Sequence, residues 1–404
     1  MSTSLLYRVL GIRDYLYQRT DFIDGRVVFT IEPRPETVRC PACGSTDLIS
    51  RGGTWRHFRA LPWGPKPVLV RSKILRLECR TCAVVRQIEV SFADRRRTYT
   101  RGFERYAAQL CRLMTVLDVA AHLGVGWDLV KDIHKRYLKK KFGQPRLKGV
   151  RYIAIDEIHV GHGNRFLTIV LDLDMGNILF VGEGKGGDAL KPFWNKLRAS
   201  HARVEAVAMD MSKAYIHAVR ENLPTAKIVF DHFHVIKLCN EMLSDLRREV
   251  QREAETKEQK EVIKGILWLL LKNPENLNER RNEEQRLKAA LKLNRPLWLA
   301  YYLKEDLRQL WNQGRKGAAR AFLADWISDA RATRIKLLRR FAKTLEDHRE
   351  GILAFYDYAI STGPLEGTNN KIRTLQRKAY GYRDPAFFKL KLYGLHETRY
   401  ELIG

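Results

Sequence analysis

The spacing of apolar and polar positions changes repeatedly along the chain, and each change marks a different kind of element. Around Val68-Leu69-Val70-Arg71 and Ile74-Leu75-Arg76-Leu77, apolar and basic residues alternate, a period-two pattern that predicts the strands of a small β-rich module. From 103 to 141 the spacing becomes helical. Within it, residues 119–131 have the pattern of a helix-turn-helix: small Ala120 and Ala121 for close packing, Gly124 for the turn, Val125 and Val130 for the core. The second helix is expected from about Trp127 to Lys140.

From Arg151 the pattern turns α/β. Strands are expected at 152–156, 166–172 and 178–181, an antiparallel meander with its clearest turn at Asp174-Met175-Gly176-Asn177. A helix at 188–199, a strand at 206–210, a helix at 212–222 and a strand at 226–230 follow. Three meander strands, then helix, strand, helix, strand is the order of a ribonuclease-H-like sheet. Residues 237–350 are rich in Lys, Glu, Arg and Leu at helical spacing and contain Trp268, Trp298, Trp311 and Trp326, which read first as core residues. The expected architecture is multidomain. It comprises a zinc ribbon (1–97), a helix-turn-helix (98–148), and an α/β core in two parts (149–236 and 356–404) split by a helical insertion (237–355).

Charge sharpens this division. The net charge is +27, and residues 51–150 hold 23 basic against seven acidic residues, while residues 1–50 balance at six and six. A basic block of that size attracts a polyanion through counterion release, so nucleic acid is the expected partner. Its basic residues do not line one amphipathic helix, which argues against an anionic membrane surface. No apolar run approaches the ~18–20 residues that span a bilayer, and none reads as a signal peptide, so a cytoplasmic, bacterial setting is expected. Candidate DNA contacts are Arg95-Arg96-Arg97 between the two N-terminal modules, and Lys131, Lys135, Arg136, Lys139 and Lys140 on the second helix of the helix-turn-helix.

Two chemistries stand out. Cys40-Pro41-Ala42-Cys43 and Cys79-Arg80-Thr81-Cys82 are CxxC knuckles able to aim four thiolates at one ion, a closed structural zinc shell, with Gly44 letting backbone amides approach the sulfurs. Cys111 and Cys239 have no such pairing and are expected to be buried packing residues. The second chemistry is acidic. Asp156 and Asp210 each follow a buried strand, and two carboxylates on neighbouring strands repel unless a cation lies between them, so they mark a site for Mg²⁺ or Mn²⁺. Glu157 alternates to the opposite face and is a poor ligand. Ser361-Thr362-Gly363-Pro364-Leu365-Glu366 has helix-start chemistry, with Asn370, Arg373 and Arg377 expected on the face of Glu366, beside a DNA phosphate. His159, His162 and His232 are further polar candidates near these carboxylates.

Ile155-Asp156-Glu157, Met209-Asp210-Met211-Ser212-Lys213-Ala214-Tyr215, Asp231-His232-Phe233-His234 and Gly363-Pro364-Leu365-Glu366-Gly367-Thr368-Asn369-Asn370 together resemble the DDE transposases of the ISL3 insertion-sequence family. Ala379-Tyr380-Gly381-Tyr382-Arg383 and the four knuckle cysteines extend the resemblance over nearly the whole chain. It implies Asp156, Asp210 and Glu366 as the catalytic and metal-holding trio, with Asp231 and His234 supporting them from behind. It further implies strand cleavage and strand transfer at terminal inverted repeats, and assembly of at least a dimer on DNA. Two other readings share parts of the pattern. One is a DNA-binding regulator with a degenerate nuclease fold; the other is a nuclease or junction resolvase that cuts without joining.

Overall fold

The computed structural model describes residues 3–161, 163 and 165–397, so His162 lies outside the described residues. The chain divides into two compact units, 1–144 together with 378–404, and 145–377.

In the first unit, α1 (Thr3–Leu10) precedes β1 (Tyr15–Ile23), β2 (Arg26–Pro33), β3 (Leu48–Trp63), β4 (Lys66–Cys79) and the short β5 (Val85–Gln87). The sheet runs β1-β2-β4-β3, with β5 added beside β4. It is a larger β layer than a bare zinc ribbon. One face closes over Phe29, Ile31, Phe58, Val68 and Val70. Strand side chains alternate between faces, and the other face is open only where Trp55 and His57 are exposed on β3, since Val28 and Thr30 on β2 are buried.

Three helices follow: α2 (Arg101–Leu113), α3 (Val116–Leu123) and α4 (Trp127–Phe142). Thr100 caps α2 by accepting from the Phe103 amide, and Thr115 and Asp118 form a reciprocal capping box on α3. Gly124 ends α3 in the left-handed region at φ 60°, which makes the turn before α4. Ala120, Val130 and Ile133 fill the core, whereas Ala121 faces outward rather than into the helix contact.

In the second unit, β6 (Tyr152–His159), β7 (Phe166–Asp172) and β8 (Ile178–Glu183) form the expected meander. Asp172 Oδ1 accepts from the amides of Asp174 and Met175, and Gly176 takes φ 70°, which fixes the second turn. The helix α5 (Lys191–Ser200), β9 (Ala206–Met209), α6 (Lys213–Asn222) and β10 (Lys227–Phe230) complete a sheet ordered β10-β9-β6-β7-β8, with β9 and β10 parallel to β6.

Next comes a helical tract: α7 (His232–Glu253), α8 (Lys257–Gly265), α9 (Leu267–Leu271), α10 (Glu283–Lys292), α11 (Arg295–Leu307), α12 (Lys316–Ala332), α13 (Lys336–Asp347) and α14 (Arg349–Leu353). It shares one apolar core with the sheet, from Ile153 and Val207 to Leu297 and Leu353. Of its tryptophans, Trp326 is buried and donates to the Leu303 carbonyl, Trp311 is half-buried, and Trp268 and Trp298 are exposed. The chain then enters α15 (Gly363–Lys378).

The last helix is α16 (Pro385–Tyr393). Residues 378–404 group with the N-terminal unit, where α16 packs on α4 and Phe387 meets His134 edge-on at 5.7 Å. Phe387, Phe388 and Leu392 are buried there.

Candidate active site

The parallel ladder between β6 and β9 ends at the pair Ala154–Ala208. Asp156 and Asp210 each stand two residues farther along, where the two strands part. Asp156 lies within β6 rather than at its end, because β6 continues its pairing with β7 as far as His159. Burial raises the Asp156 carboxyl above its ordinary range; the Asp210 and Glu157 charges add to this, while the Glu157 amide and His234 oppose it. Asp156 Oδ1 accepts from the Glu157 amide at 2.8 Å, and Asp210 Oδ1 accepts from Ser212 at 3.0 Å. Glu157 points away from this pair, accepting from the Tyr215 hydroxyl at 3.3 Å.

Two contacts bring α15 to this sheet edge. Buried Asp231 ends β10 and caps α7 by accepting from the Phe233 amide at 3.0 Å. Its other oxygen accepts from the Thr362 amide at 2.9 Å and from the Thr362 hydroxyl, immediately before α15. Seven residues on, Asn369 Nδ2 donates to Asp156 Oδ2 at 2.8 Å, across 213 residues of chain.

Glu366 is one turn before Asn369, in the first turn of α15, and is exposed. Among the described residues, only the four knuckle cysteines gather three or more possible ligands tightly enough for one ion. Asp156, Asp210 and Glu366 are not drawn together that tightly. Mg²⁺ suits such an arrangement, since it keeps waters and substrate oxygens among its ligands.

Asn369, which the sequence reading did not single out, is the residue of α15 that bonds Asp156. Asn370 is exposed and accepts from Arg373 at 2.9 Å. The inward face of α15 is Leu365, Thr368, Asn369 and Ile372, an i, i+3, i+4, i+7 series that was available as a signal. Replacing Asn369 with Ala frees Asp156 Oδ2 and unties α15, so cleavage is expected to fall about 10–100-fold, the usual cost of losing a group that orients a metal ligand. DNA affinity should stay level; single-turnover cleavage beside a binding isotherm reads both.

His234 reaches Asp231 only loosely, at 4.0 Å, and its Nδ1 is buried with no hydrogen-bond partner among the described residues. His232 lies 3.2 Å from Asp231, which raises its pKa, and packs beside Trp311. His159 is exposed and meets the Gly163 carbonyl.

The knuckles converge as expected. Cys40 and Cys82 sulfurs are 3.7 Å apart, Cys43 and Cys79 3.5 Å, and all four lie within 4.8 Å. Tetrahedral Zn–S bonds of about 2.3 Å require sulfur separations near these values. The backbone amide of Cys82 draws the Cys79 thiol down to about 6.

 The thiols of Cys111 and Cys239 are both buried and pushed up to about 12 by that burial, as packing residues should be. Cys79 pairs with Leu48 at the far end of the β3–β4 ladder, away from the apolar core of the sheet. Chelating the zinc, or Cys79→Ser, is therefore expected to loosen 40–48 and 79–87 while the core strands hold. Zinc stoichiometry and hydrogen exchange read this, and global unfolding of the sheet would contradict it.

The basic candidates separate into free and engaged groups. Arg95 and Arg96 are exposed, as are Lys139 and Lys140. Arg97 pairs with Asp132 at 3.0 Å, and Arg136 with Glu104 at 2.8 Å. Lys131 and Lys135 both reach Asp384, the cap of α16, at 3.2 and 2.8 Å. Arg373 and Arg377 are exposed along α15.

A helix-turn-helix module in a chain whose α/β sheet parts between two aspartates is the build of an enzyme that binds DNA and cuts it. Family models give the same class piece by piece. One described as a transposase, of the ISL3 DDE type, matches residues 153–392; a helix-turn-helix domain of transposase family ISL3 matches 88–138; and the zinc-finger of transposases IS204/IS1001/IS1096/IS1165 matches 36–82. The chain belongs to the ISL3 family of DDE transposases. It is 31% identical over 398 residues to the transposase of insertion sequence element IS1001 from Bordetella parapertussis, covering 97% of this chain and 98% of that one. It is 30% identical to the transposase of IS1557 from Mycobacterium tuberculosis, over 93% of this chain and 89% of that one. The Drosophila P element transposase strand transfer complex aligns at TM-score 0.37 and 11% identity over 74% of this chain and 92% of that chain, too distant to carry an argument. The family works by divalent-metal catalysis, and its zinc ribbon accounts for the four cysteines. No helix among the described residues is long and apolar enough to cross a membrane.

Proposed function

We propose that Asp156, Asp210 and Glu366 are the carboxylates at which this transposase cuts the terminal inverted repeats of an insertion sequence and joins the freed 3′ ends to target DNA. The observation that supports the assignment is the hydrogen bond from Asn369, one turn beyond Glu366 on α15, to Asp156. The meander followed by two parallel strands, β10-β9-β6-β7-β8, supports reading the sheet as ribonuclease-H-like.

A pair of Mg²⁺ or Mn²⁺ ions, when bound, lowers the pKa of an attacking water or 3′-hydroxyl and stabilises the leaving oxygen. Asp156 and Asp210 offer oxygens from neighbouring strands. Glu366 offers one from the helix that closes the edge. Asn369 keeps Asp156 oriented, and Asp231, bonded to the Thr362 amide and hydroxyl, keeps α15 in register. Exposed Arg373 and Arg377 meet the phosphate backbone next to the site. The helix-turn-helix reads the element end through α4, with Lys139, Lys140, Arg95 and Arg96 free to pair with phosphates, and Lys131, Lys135, Arg136 and Arg97 held by acidic neighbours until DNA competes for them. Two ends must be held together, so the active form is at least a dimer, and the setting is bacterial cytoplasm.

The test is incubation of end-labelled element termini and a target duplex with Mg²⁺, mapping cut positions and joined products. Cutting without any joined 3′ end would make the protein a nuclease of the resolvase kind, and binding without cutting would make it a regulator.

A further inference from the structure

The open face of the N-terminal sheet carries a charge pattern that neither the zinc site nor the helix-turn-helix uses. From Leu48 to Cys79, strands β3 and β4 hold seven Lys/Arg and one acid, Glu78, which is spent on Arg51 at 2.6 Å. From Tyr15 to Pro33, β1, β2 and the turn between them hold two basic and three acidic residues, so the excess belongs to the β3–β4 ribbon. The ladder pairs His57 with Arg71 and Trp55 with Lys73, and β2 brings Thr30 beside Arg71. Paired residues share a face, and the rung Phe29–Val70–Phe58 faces the core, so Thr30, Arg71, His57, Lys73 and Trp55 face the other way.

On that face the Arg71 guanidinium stacks over the Trp55 ring at 4.5 Å, which fixes its plane. Trp55 keeps 39% of its surface exposed, and His57 is exposed. Arg71 and Lys73 have no acidic partner among the described residues. Arg71 Nε and the hydroxyl of Thr30, itself only 6% exposed, are buried without a hydrogen-bond partner there. An oriented guanidinium and an unpaired ammonium on one face are donors an anionic oxygen needs.

The face also continues an interface already assigned to DNA. Arg59, next but one to His57, donates to the Leu123 carbonyl at 2.6 Å, immediately before the Gly124 turn that leads into α4. Trp55 is four residues from Arg59, about 13 Å along a strand. Duplex DNA carries a charge every ~1.7 Å along its axis, so one segment engaged by α4 has further phosphates within that reach.

We propose that Arg71 and Lys73, set by Trp55 on the open face of this sheet, bind the phosphate backbone of duplex DNA beside the segment read by the helix-turn-helix. The proposal rests on the DNA-binding reading of this chain and adds a second, sequence-independent contact to it.

The test is the salt dependence of affinity of the full-length, zinc-loaded protein for a mixed-sequence duplex longer than its footprint. Each lost phosphate contact lowers the slope of log affinity against log salt by about 0.9. The double variant Arg71→Gln/Lys73→Gln should therefore lose nearly two from the slope. The ratio of its affinities at 50 and 200 mM salt should shrink about tenfold relative to wild type. Arg19→Gln, on the same sheet but already paired with Asp21 at 3.2 Å, should leave the slope unchanged. An unchanged slope in a double variant that keeps its zinc and its circular dichroism overturns the proposal. If the double variant does not fold, Lys73→Gln alone decides, by a slope lower by about one or by no change. Wild-type protein that fails to bind the duplex at all sinks the DNA-binding reading together with this one; salt-dependent wild-type binding with unaltered variants sinks this one only. A variant that changes oligomeric state while its slope stays constant would assign the face to a second copy of the chain, and so also overturns the proposal.

Discussion

Asp156→Asn, Asp210→Asn and Glu366→Gln are each expected to reduce strand cleavage by about a thousandfold or more while leaving affinity for element ends within a small factor. The magnitude follows from what a metal contributes to an in-line phosphoryl displacement, several kcal/mol of charge stabilisation, at about 1.4 kcal/mol per decade of rate. Binding persists because the helix-turn-helix and its basic residues lie in the other compact unit. Stability separates catalysis from scaffolding. Burial raises the Asp156 carboxyl, and Asp210 adds to the rise, so its ionised form is held at a cost. A carboxyl raised in the folded state favours the fold most in acid and loses that contribution as pH climbs through its folded pKa. The neutral amide escapes this penalty, and Asn369, whose Oδ1 has no partner among the described residues, can turn that oxygen toward it. Asp156→Asn should thus melt no lower than wild type at neutral pH. A clear fall in Tm, or retained cleavage in any of the three variants, would falsify the assignment.

Asp231→Ala is expected to act through α15 instead. Asp231 is buried; burial alone would push its carboxyl up, but bonds from His232, Thr362 and the Phe233 amide hold it well below the ordinary carboxylate range. Removing it strands the amides of Phe233 and Thr362 and the Thr362 hydroxyl, at roughly 1–3 kcal/mol for each donor left buried and unpaired. The helix start comes loose, and Glu366 and Asn369 go with it. Cleavage should fall about a hundredfold or more, with a lower Tm. Thr362→Val, which removes one hydroxyl and keeps its amide bonded, should show the same effects in reduced form. The pH dependence has a definite sign. A depressed carboxyl contributes stability above its unfolded pKa, near 3.9, that is lost as pH falls toward the folded value. Wild type should lose Tm below about pH 4 more steeply than Asp231→Asn. Parallel acid melting curves, or full activity in Asp231→Ala, would rule out the anchoring role.

Much of this protein was legible before any coordinates. The zinc ligands, the turn at Gly124 and the meander all follow from spacing, because a knuckle, a cap and a hairpin turn are built by residues within a few positions of one another. Glu366 was legible only through family resemblance. Nothing local distinguishes it from an ordinary acidic residue in a helix's first turn, where the dipole favours negative charge.

The boundary between the two sources of information falls at sequence separation. By itself the sequence determined which chemistries the chain carries: a thiolate shell, a basic DNA-reading module and a carboxylate set for a divalent metal. Only the tertiary structure decided which residues meet across the fold. It turned Asn369 rather than Asn370 onto Asp156, across 213 residues. It placed Asp384 on Lys131 and Lys135, so two lysines that looked free are held by the C-terminal helix. It also set Arg71 on Trp55 and left that face of the sheet open. Periodicity states which side of an element is apolar but not which partner covers it, and that partner is chosen by packing between elements far apart in the chain.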